Sequence, residues 1–425
     1  MKKISKSLIV VFMLIAVLAV NIASPAAPAQ AASAGRDVLN AWNQITIRTV
    51  VAMGGQPPPA SFIYGAYVQA AVYNAVVAIE GGYSPYKSDI EPQPGASVEA
   101  AVATASYQVL VNYFTSEAQV LALNTDYSAT LAAIPDGMAK TAGIAVGAEA
   151  AAEIIEERTN DGRNADIGFS MPAPGPGVWQ LPAGVNPLTP WMSQLKPFML
   201  MSPDQFRPGP PPDLSSSEWA RQYNEVLLYG RNTSQARTAE QTEISRFWTA
   251  HPFTQYNTAF QQLASSRGLS TVETARLLVM GNMVSADALI GCWDAKYHYL
   301  FWRPQAAITQ GDSDGNSQTT GDASFLPLIP TPPHPEYPSG HGCLTSAVVE
   351  VLVEVVGTQR IEFDIPTFVP NTRPRHYSMA NDLIEEIIAA RVWSGIHYQV
   401  SDQTAVNLGR KVAHWTLKRY FLPEY

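Results

Sequence analysis

Apolar residues recur every three or four positions along most of the chain, in blocks that open on Ser or Pro and close on Gly, the pattern of amphipathic and buried helices. In the first half such blocks cover residues 37–53, ending at Gly54-Gly55, and 61–80, ending at Gly81-Gly82. Others start near Ser97, Ser116 and Gly137, the last running Ala-rich to about residue 158. Later blocks cover 217–229 and 238–249, and Ser270-Thr271-Val272-Glu273 is a capping box that opens a long helix toward Phe301. Residues 344–356 are rich in Val, yet they follow a Gly-rich turn and carry Glu350 and Glu354 one turn apart, which favours helix over buried strand. Residues 381–393 and 403–421 complete the series, and strand character is confined to short pieces such as 361–369. There is no fixed-period repeat, so the pattern predicts an all-α fold.

Two segments break the helical rhythm. Residues 171–213 hold 12 of the 33 prolines together with Trp179, Trp191, Phe198 and Phe206. That proline density forbids regular helix or central strand, and the aromatics predict a segment packed along the surface of the body. The chain also begins with Lys2, Lys3 and Lys6, an apolar run of 13 residues from Leu8 to Val20, and then Ala29-Gln30-Ala31. This is the layout of a secretory signal peptide cleaved after Ala31, its apolar run well short of the ~20 residues a spanning helix needs. No later stretch is expected to span a membrane. The expected organisation is a signal peptide (1–31), an N-terminal helical region (32–170), a Pro-rich connection (171–213) and a C-terminal helical catalytic region (214–425). The mature protein is expected to be exported and soluble.

Composition narrows the function classes. Of 425 residues 46% are hydrophobic and 15% charged, which fits a packed globular protein and excludes a disordered chain. The net charge is −9, and without the three leader lysines 24 basic residues face 36 acidic ones, or −12. Such a chain is a poor partner for nucleic acid or an anionic membrane surface, so clustered Lys and Arg stand out. Cys292 and Cys343 are the only cysteines, too few for a disulfide scaffold or a four-cysteine zinc site. In an oxidising compartment they either pair or remain two buried thiols.

Three segments of the last third concentrate unusual chemistry. Lys296 and Arg303 are seven residues apart, two turns along one helical face, among Trp293, Tyr297, Tyr299, Phe301 and Trp302. Two long cations on one aromatic-lined face can converge on an anion. The run Pro335-Glu336-Tyr337-Pro338-Ser339-Gly340-His341-Gly342, leading into a helix, offers backbone N–H groups at a helix N-terminus. It lacks the Gly-x-Ser-x-Gly elbow of a serine hydrolase. Arg391 and His397 would stand ~120° apart on a continuous helix. They reach one site only if the helix breaks between them, which Ser394-Gly395 permits.

In this order, Lys-x6-Arg-Pro, Pro-Ser-Gly-His and Arg-x5-His, the motifs resemble the signature of the vanadium-dependent haloperoxidases and of the type-2 phosphatidic acid phosphatase superfamily that shares their site. The resemblance implies two packed helix bundles with the anion site in the C-terminal one. Lys296, Arg303 and Arg391 would neutralise the oxygens of vanadate or phosphate, with Ser339 and the Gly340 N–H completing the cradle. His397 would bond vanadium axially, or attack phosphorus in a phosphatase, and His341 would be the general acid-base. Trp293 resembles a Trp of haloperoxidase sites. His334 stands where bromoperoxidases tend to carry His and chloroperoxidase Phe, so bromide is the expected halide. Hydrogen peroxide and a small organic acceptor would be the other reactants.

Two positions depart from the phosphatase pattern. Ala390 precedes the last Arg where that pattern has Ser, and Ser401 stands four residues after His397 where it has Asp, with Asp402 one position late. No carboxylate is therefore evident to orient His397, which counts against the phosphatase. The readings are, in order, a secreted vanadate-dependent haloperoxidase, an acid phosphatase acting on phosphomonoesters through a phosphohistidine, and an exported oxyanion-binding protein without catalysis. Residues 311–316 begin like a calcium loop, but Ala323 replaces its bidentate Glu, so a polar turn is expected.

Overall fold

The computed structural model describes residues 28–424; the leader's basic start and apolar run lie outside the described residues. The helices are α1 (Pro28–Ile47), α2 (Pro58–Glu80), α3 (Val98–Tyr113), α4 (Glu117–Ala132) and α5 (Met138–Glu157), then α6 (Ser217–Tyr229), α7 (Ala239–Phe247), α8 (Pro252–Arg267) and α9 (Thr271–Tyr299). The last four are α10 (Pro304–Thr309), α11 (Gly340–Val356), α12 (Ala380–Trp393) and α13 (Gln399–Leu417). One antiparallel hairpin, β1 (Arg360–Ile365) with β2 (Arg375–Met379), is the only sheet among the described residues. The protein is all-α apart from that hairpin.

Local chemistry sets the helix ends where the sequence placed them. Ser97, Ser116, Ser216, Thr238 and Ser270 each accept a backbone N–H of the first turn, and at Ser116, Thr238 and Ser270 the reciprocal capping box closes. Residues 344–356 are helical, within α11, capped by Ser339 and stopped at Gly357 in the left-handed conformation. Helices α8 and α10 and strand β2 are elements the periodicity did not single out.

Helix α9 is the spine. It packs on α2, α8, α11 and α13, and every residue from Thr274 to Lys296 is buried. Two helices correct the expectation that nothing after the leader reaches spanning length: Pro58–Glu80 and Thr271–Tyr299 are long and apolar enough. Of their most apolar windows, 89% and 100% are buried inside this fold, so both read as core helices.

The Pro-rich segment runs without α-helix and packs down as expected, with Trp179, Trp191 and Phe198 buried. Its anchor is Asp287 of α9, fully buried, which accepts the Phe198 N–H (2.8 Å) at one oxygen and those of Met199 (2.8 Å) and Leu200 (3.1 Å) at the other. The turn at 311–316 is closed on itself: Asp314 accepts the Trp219 indole N–H (2.8 Å) and the Thr319 hydroxyl, and Asn316 donates to Leu214 and Ser216 carbonyls. Cys292 and Cys343 are buried free thiols, Cys292 donating to the Pro338 carbonyl at 3.7 Å.

Candidate functional site

The long helix carries Lys296 in its last turn and then stops, because Leu300 turns left-handed at φ 49°. Arg303 is therefore not on the same helix as Lys296, which corrects the expectation of one continuous face. It sits extended as the N-cap of α10, the conformation that the following Pro304 favours. The turn still brings both cations to one place. Lys296 Nζ donates to the carbonyls of Pro335 (2.8 Å) and Glu336 (3.0 Å), and lies 5.8 Å from the Trp293 ring centre.

The last motif breaks where the sequence allowed. Helix α12 ends at Trp393, Ser394 donates back to the Ala390 carbonyl (2.6 Å), and Gly395 takes φ 77°. Only glycine serves there, since a Cβ would collide with the Gly230 carbonyl. The break lets Arg391, on the last turn of α12, and His397, just ahead of α13, line one cavity of about 160 Å³. Trp293, His334, Gly340 and His341 line it too.

Arg303 ties the motifs together. Its Nε donates to the His334 carbonyl (2.9 Å), Nη2 to His334 Nδ1 (2.9 Å), and Nη1 to the Ile396 carbonyl (2.8 Å) and to His397 Nε2 (3.1 Å). His334 also meets the Trp293 ring at 5.0 Å between centres, and the Trp293 indole donates to the Leu188 carbonyl at 3.3 Å. Ser339 is placed differently from a cavity-lining hydroxyl. It is fully buried, its Oγ accepts the Gly342 N–H at 3.4 Å as the cap of α11, and it lies beside Asp402. Gly340, the first residue of α11, is the member of that pair on the cavity wall.

Glu336 is the functional residue that reading the sequence missed. It is fully buried, and its Oε1 lies 2.8 Å from His397 Nδ1 and accepts the Tyr398 N–H (3.0 Å) while Oε2 accepts the Ser401 hydroxyl (2.6 Å). The expectation that no carboxylate orients His397 is thus overturned: the group comes from 61 residues upstream, and Ser401 supports it. The signal was present in Pro335-Glu336-Tyr337, an acid inside an otherwise apolar and small-residue run.

Electrostatics follow from burying so many charges together. Burial pulls Lys296 down to about 8 and Arg303 and Arg391 down to about 10. Burial, then the surrounding cations, holds His334, His341 and His397 well below the ordinary histidine range, so all three are neutral imidazoles. Burial raises Glu336 to about 7 and Asp402 well above the usual carboxylate range. A cluster with three buried cations has the charge to hold an anion. Two nitrogens fit such a guest: His341 Nε2 and Arg391 Nε are shielded from solvent and have no hydrogen-bond partner. Among the described residues no group of three or more His, Cys, Asp or Glu side chains is arranged to chelate a bare metal cation. The donor set suits an oxyanion, in which vanadium or phosphorus would arrive already wrapped in oxygen.

The cavity is not built by the C-terminal region alone. Pro58 and Pro59 at the start of α2 and Leu188 of the Pro-rich segment line it beside Pro252, Leu289, Pro332 and Leu344 of the C-terminal region. This extends the expectation of a site inside the C-terminal bundle: the cations come from that half, and part of the enclosure comes from the other.

Comparison with known proteins agrees with this architecture. Residues 276–421 match the family model of the VCPO second helical-bundle domain. The vanadium chloroperoxidase of Curvularia inaequalis is 26% identical over 186 residues, 33% of this chain and 30% of that protein, so the match spans about a third of the curated relative's length. Among solved structures, a bacterial vanadium-dependent iodoperoxidase superposes with a TM-score of 0.74 at 24% identity, over 93% of this chain and 98% of that one. A bacterial vanadium-dependent chloroperoxidase in its holo form gives 0.70 at 18% identity, over 85% and 91%. The chain has the haloperoxidase fold. The resemblance to the vanadium-dependent haloperoxidase and type-2 phosphatidic acid phosphatase superfamily, read from three short motifs, stands.

Proposed function

We propose that this protein is an exported vanadate-dependent haloperoxidase that oxidises halide, bromide by preference, with hydrogen peroxide. The observation that carries the reading is the single cavity on which His341, Arg391 and His397 meet, backed by Arg303 and Lys296. The similarity of fold to haloperoxidase structures across both halves of the chain supports it over the phosphatase.

In this reading Lys296, Arg303, Arg391 and the Gly340 N–H would hold vanadate's oxygens, and His397 would supply the nitrogen for its vanadium. When bound, vanadate polarises peroxide so that halide can attack an oxygen. The chain's own work is electrostatic and protonic. Three buried cations spread the negative charge of oxygens that would otherwise repel halide. His341, neutral with an unpartnered Nε2, accepts a proton from incoming peroxide and returns one to the departing oxygen. The balance is one halide, one peroxide and one proton in, one hypohalous acid and one water out. Trp293 and His334 give the cavity an aromatic wall on which a polarisable halide can rest.

A second reading has a specific observation in its favour. An imidazole whose Nδ1 faces a buried carboxylate, with the lone pair on Nε2, is also what a phosphohistidine-forming nucleophile requires. Glu336 thus removes the argument drawn from Ser401 against an acid phosphatase. The test of the leading reading is halide oxidation by metal-stripped protein in chloride, bromide and iodide, each with and without vanadate. Vanadate-dependent turnover that is faster with bromide than with chloride is expected, and no vanadate-dependent turnover with any halide would remove the peroxidase reading.

A further inference from the structure

We infer that Glu336 is the positioning residue of His397, a carboxylate relocated to the loop ahead of Ser339 that sets the tautomer of the imidazole and backs it with negative charge. The inference rests on the proposed role of His397 Nε2 toward vanadate or phosphorus.

The geometry assigns each atom of the carboxylate. A guanidinium only donates, so the 3.1 Å contact of Arg303 Nη1 with His397 Nε2 puts the lone pair on Nε2 and the proton of the neutral ring on Nδ1, 2.8 Å from Glu336 Oε1. Nε2, the lone-pair nitrogen, belongs to a residue that lines the cavity. The opposite tautomer would set an Nε2–H against the guanidinium and leave Nδ1 without a donor for Glu336. Three donors converge on Glu336: His397 Nδ1, the Tyr398 N–H and the Ser401 hydroxyl. Its own backbone N–H donates to the Phe301 carbonyl at 2.9 Å, in the turn that carries Arg303. One residue therefore couples the Arg303 turn, the loop before α11 and the start of α13.

Ser401 offers the means to test relocation. Its hydroxyl lies 2.6 Å from Glu336 Oε2, one turn after His397. A carboxylate built on position 401 enters the same space once the Glu336 side chain is gone. The two positions can thus exchange the role.

The experiment compares wild type, Glu336→Gln, Glu336→Ala and Glu336→Ala/Ser401→Asp as full-length folded protein, with thermal melts to establish folding. Nitrogen-15 NMR of the vanadate-free protein reads the His397 tautomer, and steady-state kinetics reads kcat and KM for whichever of bromide oxidation or aryl phosphate hydrolysis the wild type performs. Gln retains acceptors for His397 and Tyr398 but no charge. It should lose about 10–100-fold of kcat with KM little changed, the usual cost of removing a partner behind a ligand histidine. Ser401→Asp should restore at least tenfold over Glu336→Ala. A wild-type His397 protonated at Nε2, or a folded Glu336→Gln within threefold of wild-type kcat, overturns the inference. If the wild type shows neither activity, the functional reading fails, while the tautomer still decides the placement of Glu336.

Discussion

Arg303 Nη1 stands 3.1 Å from His397 Nε2, so the nitrogen assigned to vanadium or phosphorus is held by one of the cations assigned to the oxygens. Arg303 makes this contact while its fork also reaches the carbonyls of His334 and Ile396. A bound oxyanion has to take over part of that fork. Lysine cannot reproduce it, because a point charge on a flexible stem does not make several directed bonds at once. Arg303→Lys is expected to fold and to bind inorganic phosphate at least about tenfold more weakly, the worth of one charged hydrogen bond. Calorimetric titration checks this; an unchanged Kd would show that the fork is structural only.

His341 separates binding from turnover. It is neutral, so it adds no positive charge to the cradle, and its Nε2 has no partner in the protein. His341→Ala should keep phosphate affinity within about threefold and lose about 10²–10⁴ of kcat, the range for a general acid-base. Equal losses of affinity and turnover would place His341 in the cradle instead. An exported binding protein would show no turnover to lose, in wild type or variant.

Lys296 gives the site a basic limb. Burial lowers its ammonium to about 8, and only the charged form attracts an anion, so affinity is full below that pH and falls above it. Phosphate binding should weaken by about tenfold per pH unit between about 8 and the higher value the bound complex imposes on the lysine. Arg303 and Arg391, at about 10, stay charged over this range. A Kd flat from pH 7.5 to 9.5 would contradict the assignment.

Asp287 supports the site from a distance. It satisfies the N–H groups of Phe198, Met199 and Leu200 and so ties the Pro-rich segment to α9, upstream of Lys296. Asp287→Ala leaves three buried donors without partners and should cost about 3–5 kcal/mol of stability, seen as a lower denaturant midpoint. A loss under about 1 kcal/mol would mean the segment is held by its aromatics alone.

Much of this was legible in the sequence because it depends on neighbours in the chain. Ser270 and Glu273 cap α9 through local bonds, and the Ser394-Gly395 break is a property of two adjacent residues. Three motifs in order were enough to name the cations and imidazoles that converge. What stayed hidden depends on partners far away. Glu336 is an unremarked acid until the fold sets it against His397 and Ser401. Pro58, Leu188 and Pro252 join the cavity wall only through the packing of α2, the Pro-rich segment and α8. The departure of Arg303 from the helix of Lys296 could have been found, since Pro304 disfavours helical geometry in the residue before it.

The measurement that bears most directly on the central claim is a vanadate titration of one metal-stripped preparation, following bromination of a phenolic dye with peroxide and bromide, and aryl phosphate hydrolysis in parallel. The account predicts bromination that rises to saturation with vanadate and is absent in His397→Ala, while any hydrolysis falls along the same curve because both chemistries share the cradle. Hydrolysis that vanadate inhibits, with no bromination at any vanadate concentration, would contradict it and make the protein a phosphatase.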